Sequence, residues 1–237
     1  MARVLGDFTM SATIAFSPDD IRDYAAKAGL GFQFVAKEAF LFELMELFAE
    51  REFVLKGGTA INKGYLSGHQ RFSEDLDYDT DLKRGKVEEF VRSLGWRVKK
   101  EFHTRHAIGF MLAYAFNGVE DVAKAEISFG VRGKHGLTKA ASDFLPLSKR
   151  ANMYDFTELN VQKEGAMLDR YEWKDLYDLY WMKEANPKEF GIRDRGGFKE
   201  ALGKLQVPKT ANAYIPSSKR PNWEELKENM RDYADGK

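Results

Sequence analysis

Phe53-Val-Leu-Lys-Gly-Gly-Thr-Ala60 is the segment from which the architecture of this chain is best predicted. Its apolar residues 53–55 predict a short buried strand, the paired glycines a tight turn, and Thr59–Tyr65 a helix. Backbone N–H groups in such a turn can approach phosphate oxygens closely, helped by the positive end of the following helix. The stretch lacks the Gly-Lys-Ser/Thr of a Walker A loop, so a P-loop is excluded.

A cluster of acids follows this stretch. Five acids and no base lie between Glu74 and Asp81, and the aspartates alternate with apolar residues. This alternation predicts a strand that carries the aspartates on one face, where they repel one another unless water, arginine or a cation neutralises them. Two interpretations stay open: a solvated acidic edge, or a site for hard divalent cations completed by bound phosphates.

A later strand adds another carboxylate. Lys124-Ala-Glu126 places Lys124 and Glu126 on one face by the period of two. The pair is either a cross-strand ion pair or the source of a third carboxylate beside Asp75 and Asp77. A phosphate-binding turn next to paired carboxylates is the arrangement that metal-dependent nucleotidyl transfer requires.

The whole pattern predicts an α/β (α+β) protein. Helices are predicted over residues 17–28, 32–50, 83–94, 157–170 and 173–185, with a last one after Pro221-Asn222; strands are predicted over about 96–103, 107–116 and 122–129, and residues 130–150 are predicted to be a loop. We therefore expect a mixed sheet flanked by helices over residues 1–150 and a helical part that completes the site over residues 151–237.

Composition excludes several classes of protein. The chain has 237 residues, 43% of them hydrophobic, and no cysteine, so it is neither disordered nor held by disulfides, and it has no thiol nucleophile. No apolar run reaches membrane-spanning length, and residues 1–8 lack the apolar stretch of a signal peptide, so we expect a cytoplasmic protein without a membrane anchor.

Charge is balanced overall, with 37 basic and 37 acidic residues, but it is uneven locally. Residues 130–150 carry a net charge of +4 and residues 188–220 a net charge of +5. Each stretch is either ordinary solvated surface or a track for a phosphate backbone, and the sequence leaves both interpretations open.

Four motifs in order resemble a known family. Residues 55–60 with 71–77 are very similar to motif I of the AbiEii/AbiGii toxin nucleotidyltransferases, found in abortive-infection and type IV toxin–antitoxin systems and including the MenT toxins. Lys124-x-Glu126 is similar to the second motif. Lys163-x-x-Ala166 is similar to the third, with Glu164 in place of leucine, and Lys174-Asp175-x-x-Asp178 to the fourth, with lysine in place of arginine. The resemblance covers residues 53–182.

The resemblance implies roles for these residues. Asp75, Asp77 and Glu126 would bind Mg²⁺ (or Mn²⁺), and the phosphates would be held by Gly57, Gly58, Thr59 and Lys163. Asp178 matches an essential aspartate of the family, whereas Asp175 is either nucleotide-binding or structural. Ser73 lies where some relatives of the family are phosphorylated by a cognate antitoxin, and a phosphate there would add negative charge beside the metal carboxylates.

Aromatic residues at helical spacing, Trp173, Tyr177, Tyr180 and Trp181, predict a core face, although Tyr177 could also stack on a base. The function that the resemblance implies is transfer of a nucleoside monophosphate from an NTP to an acceptor hydroxyl of RNA, with a tRNA 3′ end the expected acceptor, in a toxin restrained by a cognate antitoxin. The alternatives are a non-catalytic NTP-binding regulator, a protein-AMPylating transferase, and a metal-free structural module with an acidic edge.

Overall fold

The computed structural model of the protein describes residues 16–49 and 51–237. The N-terminal residues used for the signal-peptide prediction, and Glu50 at the end of the second predicted helix, lie outside the described residues. The helices are α1 (Pro18–Ala28), α2 (Phe32–Ala49), α3 (Gly57–Tyr65), α4 (Arg84–Ser93), α5 (Phe156–Arg170), α6 (Trp173–Ala185), α7 (Arg195–Lys204) and α8 (Trp223–Asp235). The strands are β1 (Phe53–Lys56), β2 (Asp75–Thr80), β3 (Val98–His103), β4 (Ala107–Phe116), β5 (Val119–Phe129), β6 (His135–Ala141) and β7 (Ser148–Tyr154).

The seven described strands form one mixed sheet in the order β3-β4-β5-β2-β1-β7-β6. The pairs β2–β5 and β1–β7 are parallel, and the other pairs are antiparallel. This order places β1, β2 and β5 side by side in the middle of the sheet. The three strands that carry the motif residues are therefore neighbours, and the predicted fold class is confirmed.

The two faces of β2 have different environments because successive side chains alternate. On one face, the ring of Tyr78 stacks on Phe48 of α2 with their centroids 4.7 Å apart. Helix α2 buries residues all around its circumference, as expected for a helix in the protein core. On the other face, Asp77 and Asp79 line a cleft shared with α5. The sheet thus separates a hydrophobic core from the candidate site.

The prediction of a loop over residues 130–150 is wrong. Strand β6 and the start of β7 lie there as an antiparallel pair in which Lys139 is opposite Arg150. The sequence His135–Ala141 lacks apolar alternation because β6 is an edge strand with most of its residues exposed, including Leu137 at 57%. Helix α7, within the Pro/Gly/Lys-rich stretch after residue 186, was likewise not predicted from the sequence.

Candidate active site

The paired glycines form the turn at which β1 passes directly into α3. Gly57 has φ +68°, a conformation that favours glycine, and a Cβ atom there would lie 2.8 Å from Oδ2 of Asp77. A Cβ atom on Gly58 would lie 2.7 Å from Nη2 of Arg71. A side chain at either position would therefore force a neighbouring side chain to shift, and glycine lets the N-terminus of α3 lie close to the carboxylate of Asp77.

Strand register brings the predicted carboxylates together. In the parallel pairing of β2 with β5, Asp77 lies opposite Glu126 and Asp75 lies opposite Lys124. The hydroxyl of Thr59 donates to the backbone carbonyl of Asp75 at 2.6 Å, which fastens the first turn of α3 to β2. Lys124 Nζ lies 2.8 Å from a carboxylate oxygen of Glu126, so the predicted same-face pairing is present.

The charge at this point of the sheet is strongly negative. Burial raises the pKa of Asp77, and the carboxylates of Asp75 and Glu126 raise it further against the opposing effect of Lys124 and Lys56. A raised pKa means that the folded chain holds the negative charge of Asp77 at a cost. Because the donor atoms are all carboxylate oxygens, the set fits a hard divalent cation, which would remove this repulsion.

The tightest group of metal-capable side chains in residues 16–49 and 51–237 lies elsewhere. Ligand atoms of Glu88, Glu101 and His103 lie within 4.8 Å of one another, a spacing that the three candidate carboxylates do not reach. Basic side chains already contact this group, since Arg84 lies 2.7 Å from a ring nitrogen of His103 and Arg92 lies 3.6 Å from a carboxylate oxygen of Glu101. It lines no part of the cleft described next.

A cleft with two lobes surrounds the glycine turn. The smaller lobe, of about 570 Å³, includes Asp79, His106 and Arg132 and is named the strand lobe. The larger lobe, of about 840 Å³, includes Glu126 and Trp173 and is named the aromatic lobe. Each is large enough for a nucleotide-sized ligand. The residues that line both lobes are Lys56, Gly58, Asp77, Lys163 and Arg170.

A buried network of ion pairs supports the floor of the cleft. Lys163 Nζ lies 3.0 Å from a carboxylate oxygen of Asp175 and 3.0 Å from one of Asp178. Arg170 donates two further hydrogen bonds to Asp175, and Arg71 donates two to Asp178. Lys163 and Arg170 reach the cleft, whereas the two fully buried aspartates lie behind it and line neither lobe. In this structure, the two aspartates therefore fix the positions of the lysine and arginine side chains.

Tyr177 also lies away from the cleft. Its side chain is fully buried, its hydroxyl donates to the backbone carbonyl of His69 at 3.1 Å, and its ring packs against Trp181 and Trp223. The prediction of a core position is confirmed for Tyr177, but it is wrong for Trp173, which is only partly buried and lines the aromatic lobe. The alternative use of Tyr177 in base stacking is not supported by this geometry, because no face of its ring is accessible to a ligand.

Ser73 lines the aromatic lobe and is 7% exposed. Its Oγ lies 3.2 Å from the position that a Cβ atom on Gly58 would occupy, so it is beside the glycine turn. The hydroxyl is thus next to the candidate phosphate-binding backbone, and its regulatory role stays a prediction.

Sequence reasoning gave no role to several residues of this site. Lys56 Nζ pairs with Asp79 at 2.5 Å and with Ser128 Oγ at 3.1 Å, which places a cation at the end of β1. The buried Asn62 donates to the carbonyl of Gly58 and accepts from the backbone N–H of Arg71. The available signal for Asn62 was a polar residue directly after Ala60 and Ile61, and the signal for Lys56 was a lone base before the glycines.

The cleft thus joins a backbone turn that can approach phosphates to carboxylates that can hold a divalent cation, and nucleotidyl transfer requires both. The chain belongs to the family of the nucleotidyl transferase AbiEii toxin of type IV toxin–antitoxin systems, whose model matches residues 39–235. The resemblance found in the sequence is therefore confirmed, and the protein is an enzyme of the nucleotidyltransferase class.

Solved structures share the fold. The crystal structure of JHP933 from Helicobacter pylori matches with a TM-score of 0.66 and 22% identity, over 87% of this chain and 92% of that one. MenT4, a nucleotidyltransferase toxin from Mycobacterium tuberculosis, matches with a TM-score of 0.62 and 16% identity, over 93% of this chain and 90% of that one. No curated protein matches the sequence. Among the described residues, no helix has both the length and the apolar character needed to cross a membrane.

Proposed function

We propose that this toxin nucleotidyltransferase moves a nucleoside monophosphate from an NTP to a hydroxyl of RNA, with a tRNA 3′ end as the acceptor, in a reaction that depends on Mg²⁺ or Mn²⁺. The observation that supports it best is the position of Asp77. Its carboxylate lies against the Gly57 backbone and opposite Glu126 across the paired strands. The backbone proposed to bind phosphates and the carboxylates proposed to bind the cation therefore lie next to each other.

The carboxylates of Asp75, Asp77 and Glu126 would hold the cation, which supplies charge neutralisation for the attacking and leaving oxygens. The N-terminus of α3 offers backbone N–H groups to the phosphates. Lys163 and Arg170 face the same space from α5, and their positive charge suits the pyrophosphate that leaves. This division of roles needs no covalent intermediate on the protein, since phosphoryl transfer depends mainly on positioning and charge.

Basic segments beside the cleft support RNA as the acceptor. Arg132, from the basic stretch 130–150, lines the strand lobe. The residues of the basic stretch 188–220 that line the aromatic lobe, among them residues 206–208, are uncharged. Arg132 is thus the basic side chain of these two stretches that would meet a polynucleotide backbone in the cleft, and phosphate contacts of this kind supply sequence-independent affinity. The family adds a second expected partner, a cognate antitoxin, for which Ser73 is the candidate point of control.

The test is incorporation of each α-labelled NTP, with Mg²⁺, into total RNA and separately into total protein. We expect label in a tRNA-sized band with the wild type and none with Asp77→Asn, a change that removes one charge and keeps the shape. Asp81→Asn is the matched control because Asp81 directly follows β2, is exposed and lines neither lobe.

Two other outcomes would contradict the proposal. Asp77-dependent label in protein would show an AMPylating or related protein-modifying enzyme. Absence of Asp77-dependent label in both fractions, with NTP binding retained, would show a non-catalytic binder. Label that is lost equally with Asp81→Asn would show that the loss follows from misfolding, which circular dichroism of both variants would reveal.

A further inference from the structure

The aromatic lobe has a wall that the proposed phosphate chemistry does not use. Tyr171, Trp173 and Tyr214 line it together with Val207 and Pro208, in the lobe that the carboxylates of β2 and β5 also line. The three aromatic side chains are only partly buried. They differ in this respect from the aromatic residues of the core, so apolar ring surface is left facing the cleft.

The rings of this wall are held in fixed positions. The ring centroid of Trp173 lies 5.9 Å from that of Tyr214 and 5.7 Å from that of Trp223. The guanidinium of Arg71 lies 5.9 Å from the ring centroid of Trp173. The backbone carbonyl of Tyr214 accepts a hydrogen bond from Phe72 at 2.8 Å. Rings that are already immobilised lose little conformational entropy when a ligand binds to them.

The surroundings of the wall indicate the chemistry of its ligand. The lobe of about 840 Å³ joins the aromatic wall to basic side chains, Lys124, Arg170 and Lys174, and to the carboxylates that would hold the cation. A ligand that fits all three surfaces has a flat apolar ring system joined to a phosphate. A nucleotide has this composition, and aromatic side chains bind bases by stacking with little preference among them.

We propose that Trp173 and Tyr214 bind a nucleobase by stacking, either the base of the NTP or the terminal base of the RNA acceptor. The inference rests on the proposed function, because both sources are substrates of that reaction. It assigns a substrate-binding role to two positions outside the four motifs, Trp173 and Tyr214, the second of which lies in segment 205–214. Residue 173 precedes the fourth motif, and residue 214 enters the site from the C-terminal part.

The test compares ligands with and without a base. Binding of each NTP and of inorganic tripolyphosphate is measured for the wild type, Trp173→Ala and Tyr214→Ala, and KM for total tRNA is measured in the labelling assay. Alanine substitution of an aromatic side chain that stacks on one base weakens binding roughly 5- to 150-fold. If the base belongs to the NTP, NTP binding weakens by this factor and tripolyphosphate binding stays the same. If the base belongs to the acceptor, NTP binding stays the same and KM for tRNA rises.

Conservative and matched variants separate stacking from structural support. Trp173→Phe and Tyr214→Phe keep a ring and are expected to restore most of the binding. Trp181→Ala removes a tryptophan from the same helix, where it packs on His69 away from both lobes, and is expected to leave both affinities unchanged. The proposal is overturned if the alanine variants change neither affinity, or if they weaken tripolyphosphate as much as NTP.

Failure of the proposed function gives a different result. A wild-type protein that labels no RNA but binds NTP more tightly than tripolyphosphate, with the difference removed by Trp173→Ala, would contradict the transferase and keep the nucleobase site. A wild type that labels tRNA with no effect of the aromatic variants on either substrate would keep the transferase and overturn the nucleobase site.

Discussion

Arg71 donates two hydrogen bonds to the carboxylate of Asp178, at 2.9 and 2.6 Å, and both side chains are almost completely buried. The same carboxylate lies 3.0 Å from Lys163 Nζ and accepts from Asn62 at 3.0 Å. One buried anion thus satisfies two buried cations, and it joins the segment before β2 to α3, α5 and α6. The cleft depends on this contact because Arg71 and Lys163 both line it.

Removing this anion should destabilise the protein strongly. Asp178→Ala leaves the buried Arg71 without a carboxylate partner and Lys163 with Asp175 alone, and a buried pair broken in this way costs about 3–5 kcal/mol. Urea denaturation followed by circular dichroism measures the change in the free energy of unfolding. Glu89→Ala is the control, since the pair Lys86–Glu89 is exposed on both sides and should contribute little. Equal effects of the two changes would show that the buried network is not stabilising.

A methyl group at the glycine turn should remove activity. Gly57→Ala places a Cβ atom 2.8 Å from Oδ2 of Asp77 and forces alanine into a left-handed conformation that costs about 1–2 kcal/mol. Because the turn and the carboxylate must both shift, we expect loss of nucleotide transfer with only a modest decrease in melting temperature. Labelled-NTP incorporation and thermal denaturation measure the two effects.

Gly165→Ala is the matched control for this change. Gly165 lies inside α5, and no atom lies within 4 Å of a Cβ atom placed there. Alanine favours the helix by up to about 1 kcal/mol relative to glycine, so the control should keep its activity and melt at a slightly higher temperature. If Gly57→Ala behaves in the same way, the close approach of Gly57 to Asp77 has no functional importance.

Much of the central fold could be predicted from local sequence. The run Phe53–Ala60 specifies strand, turn and helix within eight residues, and the alternation after Asp75 specifies both a strand and the face that its carboxylates take. Strand β6 could not be predicted in this way. It lies at the edge of the sheet, so no buried face imposes an apolar period on its sequence, and its pairing with β7 is what makes it a strand.

The site could be predicted only as far as its motifs extend. The carboxylates, glycines and Lys163 lie within short patterns, and the fold brings them to one cleft. The aromatic wall could not be found, because Trp173 and Tyr214 are 41 residues apart and meet through the packing of segment 205–214 on α6. The buried position of Asp175 could not be predicted either, since helical spacing does not tell a cleft from a core.

Tyr177 should contribute to stability and not to catalysis. Tyr177→Phe removes the hydroxyl that donates to the carbonyl of His69 and keeps the buried ring. Loss of one such hydrogen bond costs about 1 kcal/mol, so a small decrease in the free energy of unfolding is expected, with unchanged KM for NTP. An increase in KM without loss of stability would place Tyr177 at the nucleotide, as the alternative interpretation of the sequence had it.

Ionisation of Asp175 should make the free energy of unfolding depend on pH in the acid range. Burial acts to raise the pKa of Asp175, but hydrogen bonds from Arg170 and the nearby charge of Lys163 outweigh burial and lower it. The folded chain therefore binds this proton less tightly than the unfolded chain, whose aspartate pKa is about 3.9. The ionised carboxylate thus stabilises the protein above that pH, and its contribution is lost as the pH falls toward the lowered value.

Asp175→Asn tests this dependence directly. At about pH 7 the variant should be less stable than the wild type by about 2 kcal/mol, the size of a hydrogen-bonded contact to a charged group. The difference should shrink below about pH 4, because the aspartate of the unfolded wild type then becomes protonated, while the lowered pKa keeps the folded carboxylate ionised to lower pH. Urea denaturation from about pH 7 to pH 3 measures it, with Asp169→Asn, at an exposed position of α5, as the control that should change stability little. A difference that stays constant or grows in acid would show that Asp175 acts through its shape and not through its charge.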